Sequence, residues 1–482
     1  MPLTSDTALY DLQARTVLDG GVLYRDAVEP NFPGVVWLHL ALRSLLGWSS
    51  EAIRIVDLLF VGCACILLVR STNPSNNRAS VLGLLAMAAF YLSRNEWCHC
   101  QRDSWMLLPI AGALLLRSRS LQVVPQQQAP HAVLRRLMAI GEGILWGVAF
   151  WIKPHVALSV IAVAAWSIWI TAHKVQQIRR ELFVLAGVIL CAIPGIVWLV
   201  QTNAWSSFVE MQSDWNPEYL KAGAERRSWA KVFQLVQRFH PWYLIHVLSV
   251  PLAIRDLMVR DFRTQNSRVP IPHPGLLAVT YLSWFAQASL LQHAMDYIQV
   301  PPVLLGIAFL SARNWQSDPI PRLVSVGCFL AIALLASPQL RPERVQLWAQ
   351  CFRDGSSTEL RSRLSHGRQP SWNDLENVVS FLRDKDVEQG EFTSWNVHSI
   401  HAYTSLNLRP STRYPCASIL TELFPSHREE IRDTVASCGH KFVLTNADER
   451  PMSTTLTMSE AEFPWNLPVI YESGPFQLRS PE

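Results

Sequence analysis

Apolar residues gather in long runs between residues 33 and 337, at about 52–69, 79–93, 104–116, 137–152, 155–172, 182–201, 241–254, 274–292, 297–312 and 321–337. A helix needs about 20 residues to cross a bilayer, with about 17 as the lower limit, so these runs predict about ten membrane helices. The runs beginning at 104 and 241 are short and must borrow flanking residues. An earlier run, Pro33 to Leu46, is shorter still. At 1.5 Å per residue its length is about 21 Å against a hydrocarbon core of about 30 Å. With His39 and Arg43 four apart on one face beside Trp37, it reads as a helix lying along the interface, with an ordinary short first span as the rival reading.

After residue 337 the pattern changes. Ser371 to Asp384 predicts a helix capped by Ser371, and Ser426 to Val435 another, with Ser426 and Glu429 at capping-box spacing. Glu391 to Trp395 and Lys441 to Thr445 predict strands. The expected architecture is a polytopic α-helical membrane protein. It has an external N-terminal loop with interfacial helices (1–51), a bundle of about ten helices (52–337) with an external loop at 202–240, and a small extracytoplasmic α/β domain (338–482).

Charge placement sets the expected orientation, because positive connections stay cytoplasmic. The connections at 70–78, 117–136, 173–181, 255–273 and 313–322 carry 15 Lys and Arg; the alternate set at 94–103, 153–154, 202–240 and 293–296 carries 8. The first set is therefore cytoplasmic. The N-terminal loop and the tail domain are external.

Composition narrows the class. Half of the 482 residues are apolar and only 17% are charged, where about 25% is usual for a soluble chain. That excludes disorder and argues against a cytosolic enzyme. A net charge of +4 does not support nucleic-acid binding. The 19 Trp suit headgroup depth. The nine Cys form no zinc pattern: Cys63, Cys65, Cys191 and Cys328 sit inside apolar runs. Cys416 and Cys438 share the tail domain, which leaves both a disulfide and two free thiols open. The first 32 residues hold no apolar core of signal-peptide length.

Ionisable residues at the ends of spans are functional candidates, and on the external side they converge. The N-terminal loop supplies Asp6, Asp11, Asp19, Asp26 and Glu29, and the loop before the third run supplies His99, Arg102 and Asp103. Lys153 comes from the turn between two runs, and His293, Asp296 and Tyr297 from the turn before the ninth. In a bundle these would face one external cavity. Lys153, set between Trp151-Ile152 and Pro154-His155 with almost no loop, suits a bound anion, though a lysine snorkelling to water is the plainer reading. Arg102 beside Asp103 reads equally as a simple ion pair, and His293 as a structural histidine. The 202–240 loop mixes Trp205, Trp215, Tyr219 and Trp229 with Arg226, Arg227 and Lys231, fit either to stack on sugar and meet phosphate or to anchor an interfacial helix pair.

The segments Asp6-Thr7-Ala8-Leu9-Tyr10, Gly20 to Asp26 and Glu29-Pro30-Asn31-Phe32-Pro33-Gly34 resemble the first external loop of membrane glycosyltransferases of the GT-C fold. The bacterial branch with the aminoarabinose transferase of lipid A and the protein mannosyltransferase-like enzymes is the most similar. The likeness continues through Gln101-Arg102-Asp103, the Gly147 to Pro154 stretch and His293 to Pro302, and so covers about residues 6 to 337. It implies Asp6 as catalytic base, with Asp103 at the second acidic position. It implies Lys153 and Arg102 as donor phosphate-binding residues, and Tyr10, Glu29, His293, Asp296 and Tyr297 as lining of the substrate cavity. Two features depart from the family pattern: no apolar helix precedes Asp6, and Glu29 does not adjoin a Pro pair. The first loop has no Asp-x-Asp motif, which favours a metal-free mechanism without a cofactor and leaves a divalent cation open.

The expected activity is inverting transfer of a sugar from a polyprenyl-phosphate donor to a lipid, glycan or protein hydroxyl, outside the cytoplasm of a bacterial inner membrane. A multi-pass transporter or flippase, or an inactive membrane scaffold, is the alternative; charges near the midplane and an inverted repeat would mark a transporter.

Overall fold

The computed structural model describes the chain except residues 72–76, 123–128, 172, 259–273, 313–326, 329, 336, 366–368, 450–461 and 482. Most of the connection at 255–273, all of that at 313–322 and part of the last apolar run therefore lie outside the described residues.

The chain divides into two compact units, one of Met1–Arg54, Trp198–Ala222 and Glu343–Glu482, the other of Ile55–Val197 and Gly223–Pro342. In the first unit a four-stranded sheet has the order β1 (Phe392–Ser394), β2 (Phe442–Asn446), β4 (Phe476–Arg479), β3 (Val469–Ser473). β1 and β2 run parallel, with Phe392 opposite Phe442, and the other two pairings are antiparallel. The β3–β4 hairpin turns through Gly474 and Pro475, and Gly474 takes the left-handed φ of +53°. Both expected strands are present, and the hairpin adds two that the strand reading did not reach.

The Trp372–Asp384 helix covers the sheet with Leu375, Val378 and Leu382 on one face, at the 3–4-residue spacing of a buried stripe. Ser371 occupies the N-cap position as expected, though its hydroxyl donates to the Asp374 carboxylate rather than capping a backbone N–H. The expected Ser426–Glu429 capping box does not form. Ser426 instead donates its N–H and hydroxyl to Glu218, and the helix begins at Arg428. Ala8 and Leu12 of the Ser5–Leu18 helix belong to the same core as Leu375 and Leu444, so the start of the chain and its tail fold together.

The Gly34–Leu46 helix matches the expected run, but its polar face does not lie toward an interface. His39 and Arg43 are buried because Asp11 draws them inward: its carboxylate sits 2.8 Å from His39 Nδ1 and 2.7 Å from Arg43 Nε. Its exposed residues are Ala41, Ser44, Leu45 and Leu46.

In the second unit every fully described apolar run is helical. Among the described residues two helices are long and apolar enough to cross a membrane: Ser50–Arg70, which begins in the first unit, and Lys174–Gln201, which ends in it. Asn77–Leu92, Leu107–Gln122, Ala157–Ile170, Leu244–Met258, Pro274–Leu290 and Val300–Ala312 have 13 to 17 residues. Lys174–Gln201 exposes Ile178, Leu182, Leu185, Ile189 and Ile193, a continuous apolar outer face.

Small residues let two backbones meet. A Cβ on Gly143 would lie 1.9 Å from the Val184 carbonyl oxygen, and one on Gly187 2.1 Å from that of Ile140. The Ala129–Ile152 and Lys174–Gln201 helices therefore cross in direct backbone contact. A buried ion network closes one end of this packing: Arg117 reaches Glu142 at 2.6 Å, Glu181 at 2.8 Å and Ser167 at 2.7 Å, and Arg180 also pairs with Glu142.

Candidate functional site

Lys153 owes its position to Pro154, which cannot continue the Ala129–Ile152 helix. The chain extends at Lys153 (φ −157°, ψ 112°), then makes one 3-10 turn into Ala157–Ile170. The ammonium is thereby delivered into the unit, where it donates to Asp103 Oδ1 at 2.8 Å and to Gln292 Oε1 at 2.5 Å. Lys153 is 4% exposed and Asp103 is fully buried. Arg102 Nε stands 4.0 Å from the other Asp103 oxygen, also buried. Two cations and one carboxylate thus share one buried cluster, where each charge depends on its neighbours.

Burial pulls the Lys153 ammonium down to about 8; Asp103 opposes this and Arg102 adds to it.

A second group follows in the same unit. Asp296 opens the 3-10 turn leading to Val300–Ala312 and is paired with Arg238 at 3.0 Å, while Arg94 donates to the Arg238 carbonyl at 3.0 Å. The Tyr297 ring lies 6.1 Å from that of Trp97. The His293 ring is seated against Gly223, where a Cβ would lie 2.9 Å from it.

The first unit holds Asp6, Tyr10 and Glu29. Asp6 stands in the first turn of a helix capped by Thr4, whose hydroxyl accepts the Thr7 N–H, and a carboxylate there is favoured by the helix dipole. Its neighbour Ser5 reaches His398 Nδ1 at 3.4 Å, and Glu449 accepts the Val397 and His398 N–H groups at 2.8 and 2.9 Å. Burial, and then the charges of Glu449, Asp6 and Glu29, push the Cys416 thiol far up. Tyr10 is buried with its ring 5.5 Å from His39. Glu29 is fully buried and accepts from Gln13 at 2.8 Å and the Asn31 N–H at 2.8 Å, a clasp on the loop that precedes the Gly34–Leu46 helix.

The aromatic loop differs from the sugar-stacking expectation at its central residue. Trp215, on a π-helical turn, is 1% exposed and stacks on His427 at 3.8 Å, with the Arg413 guanidinium 5.6 Å from the centre of the Trp215 ring. Tyr219 stacks on Phe424. Trp229 alone of the four aromatics named is almost fully exposed, at 88%. Among the described residues no cysteine is joined in a disulfide, Cys416 and Cys438 included; Cys438 Sγ lies 2.9 Å from His440 Nδ1. Among the described residues no group of three or more His, Cys, Asp and Glu is arranged to hold a metal ion.

One residue escaped the sequence reading. Asp57, in the middle of the 52–69 run, is fully buried and accepts hydrogen bonds from Tyr91, Cys100 and Trp105. A carboxylate inside an apolar run was the available signal.

No protein-family model and no curated protein matches the sequence. Solved structures do match. ArnT from Cupriavidus metallidurans, solved bound to undecaprenyl phosphate, shares 13% identity at TM-score 0.56 over 99% of this chain and 94% of that one. AglB, the oligosaccharyltransferase of Archaeoglobus fulgidus, solved with an inhibitory peptide and a dolichol-phosphate, shares 12% identity at TM-score 0.50 over 92% of this chain and 66% of that one. A structure of the Archaeoglobus fulgidus oligosaccharyltransferase tethered to an acceptor peptide containing the NVT sequon gives 11% identity, TM-score 0.50, 92% and 65%. This chain thus spans just under two thirds of the oligosaccharyltransferase's length. With that likeness extending over nearly the whole chain, it has the fold of the GT-C membrane glycosyltransferases.

Proposed function

We propose that this chain is a multi-pass membrane glycosyltransferase that moves a hexose or pentose from a polyprenyl phosphate to a hydroxyl of a lipid, glycan or protein, with inversion at the anomeric carbon. The observation that carries the reading is the buried cluster of Lys153, Arg102 and Asp103, in a fold whose solved neighbours include one bound to undecaprenyl phosphate and one in complex with dolichol-phosphate. A phosphate is an anion that the two cations of the cluster would attract.

In this reading the acceptor oxygen attacks the anomeric carbon as the bond to the phosphate oxygen breaks, and the polyprenyl phosphate leaves with the electron pair. Asp6 takes the hydroxyl proton. Lys153 and Arg102 offset the charge that grows on the phosphate, and Asp103 orients Lys153. The site faces the outside of a bacterial inner membrane, with the tail domain on the same side.

The test is transfer of radiolabel from a polyprenyl-phosphate sugar by the purified, reconstituted protein. Loss of a general base costs about 10²- to 10⁴-fold, so Asp6→Asn is expected to abolish measurable transfer, and Lys153→Ala to raise the KM for donor. Undiminished transfer by Asp6→Asn would remove the base from the scheme.

A further inference from the structure

Asp57 is the eighth of the 21 residues of the Ser50–Arg70 helix and is fully buried. Its Oδ1 accepts three hydrogen bonds: from the Tyr91 hydroxyl at 2.8 Å, the Cys100 backbone N–H at 2.9 Å and the Trp105 indole N–H at 2.8 Å. Oδ2 accepts from Tyr91 as well, at 2.9 Å. All three partners are neutral, and among the described residues no cation pairs with Asp57. An ionised carboxylate can accept at about four sites and donates at none, so it suits a site where every neighbour is a donor.

The two chain tethers bracket one short segment. Cys100 has a left-handed backbone, φ +56°, a conformation that non-glycine residues rarely hold unless surrounding bonds fix it. Its N–H is the group bound to Asp57. From there Gln101 extends and accepts the Ser104 and Trp105 N–H groups through its carbonyl, opening the Arg102–Trp105 turn. The far end of that turn returns to the same Asp57 oxygen through the Trp105 indole. Arg102 and Asp103 sit between the two fixed points.

We propose that Asp57 is a positioning residue: by tying Cys100 and Trp105 to one buried carboxylate, it fixes Asp103 against Lys153 and so shapes the anion site. Its value for catalysis rests on the donor-phosphate reading of Lys153. Asp57 itself touches neither Lys153 nor, in this scheme, the substrate. The Tyr91 bond ties Asp57 to the preceding helix and bears less on the segment.

The ionisation of Lys153 reports the geometry without any ligand. Burial and Arg102 lower it, while Asp103 raises it. Loosening Asp103 must move the midpoint down. In the full-length protein in detergent, the rate of Lys153 acetylation by acetic anhydride, followed by mass spectrometry against pH, gives that midpoint. Binding of undecaprenyl phosphate to the same samples gives the functional arm.

The expected result is a midpoint below that of the wild type by about half a unit or more in Asp57→Asn, whose amide N–H₂ faces donors, and in Trp105→Phe, which deletes only the indole N–H. Undecaprenyl-phosphate affinity falls about tenfold in both, the scale of lost orienting contacts. Tyr91→Phe keeps the wild-type midpoint. An unchanged midpoint in folded Asp57→Asn and Trp105→Phe overturns the proposal; if Asp57→Asn does not fold, Trp105→Phe decides. A wild-type protein that shows the midpoint pattern yet ignores undecaprenyl phosphate keeps the positioning role and sinks the donor reading.

Discussion

Lys153 Nζ and Asp103 Oδ1 stand 2.8 Å apart with both side chains buried, and burial has drawn the ammonium down to about 8. An anion binds the protonated lysine, so donor-phosphate affinity should fall as pH rises through about 8. Asp103→Asn removes the group that raises the lysine, and its profile should therefore break at lower pH. Affinity measured from pH 6.5 to 9.5 checks this. Identical profiles for the two proteins would detach Asp103 from the site.

A second pH response belongs to the first unit. Burial, then the charge of His398 and of Arg361, takes His401 from the ordinary 6.5 to about 3, and burial lowers His398 too. As pH drops below 6.5 the unfolded chain takes up protons that the folded chain refuses. Stability present above that pH is lost on acidification, by up to about 1.4 kcal/mol per pH unit for each such histidine. Thermal unfolding from pH 7.5 to 4.5 should show this slope, and His401→Phe should flatten it.

A third expectation concerns Asp11, whose carboxylate lies against His39 and Arg43 in a buried ion group. Burial alone would raise its carboxyl, but the hydrogen bonds and charges of His39 and Arg43 prevail and hold it below the ordinary range. Removing one partner of a buried pair leaves the other charge uncompensated, at a cost of about 3–5 kcal/mol. Asp11→Ala should lower the melting temperature sharply. Arg15→Ala is the comparison, since Arg15 hydrogen-bonds an exposed partner, Asn407.

Helical runs were legible in the sequence because apolar periodicity is local, and the first pair of strands because Phe392 and Phe442 stand in short β-rich stretches bounded by turn residues. Lys153 and Asp103 were legible for a different reason: charge at the edge of an apolar run is expensive and stands out. What escaped depended on partners far along the chain. His39 and Arg43 look interfacial until Asp11, 28 residues earlier than His39, is known to face them. Trp215 looks available to a sugar until His427 covers it. Asp57 was passed over because its donors come from residues 34 to 48 positions away.

The helix crossing at Gly143 allows a last, sharper test of how this unit is held together. With the Val184 carbonyl oxygen 1.9 Å from where a Cβ would stand, even alanine forces the Ala129–Ile152 and Lys174–Gln201 backbones apart. Separation strips contacts along both helices and strains the Arg117–Glu142–Glu181 network that bridges them, so the cost should exceed the usual 1–3 kcal/mol of overpacking. Gly62, on the Ser50–Arg70 helix, is the control, because a Cβ there meets nothing within 4 Å. Replacing glycine by alanine in an open helical position gains about 0.5–1 kcal/mol. Melting temperatures in detergent should therefore move in opposite directions, down for Gly143→Ala and slightly up for Gly62→Ala. Equal shifts would mean that the two helices do not touch where the structure places their contact.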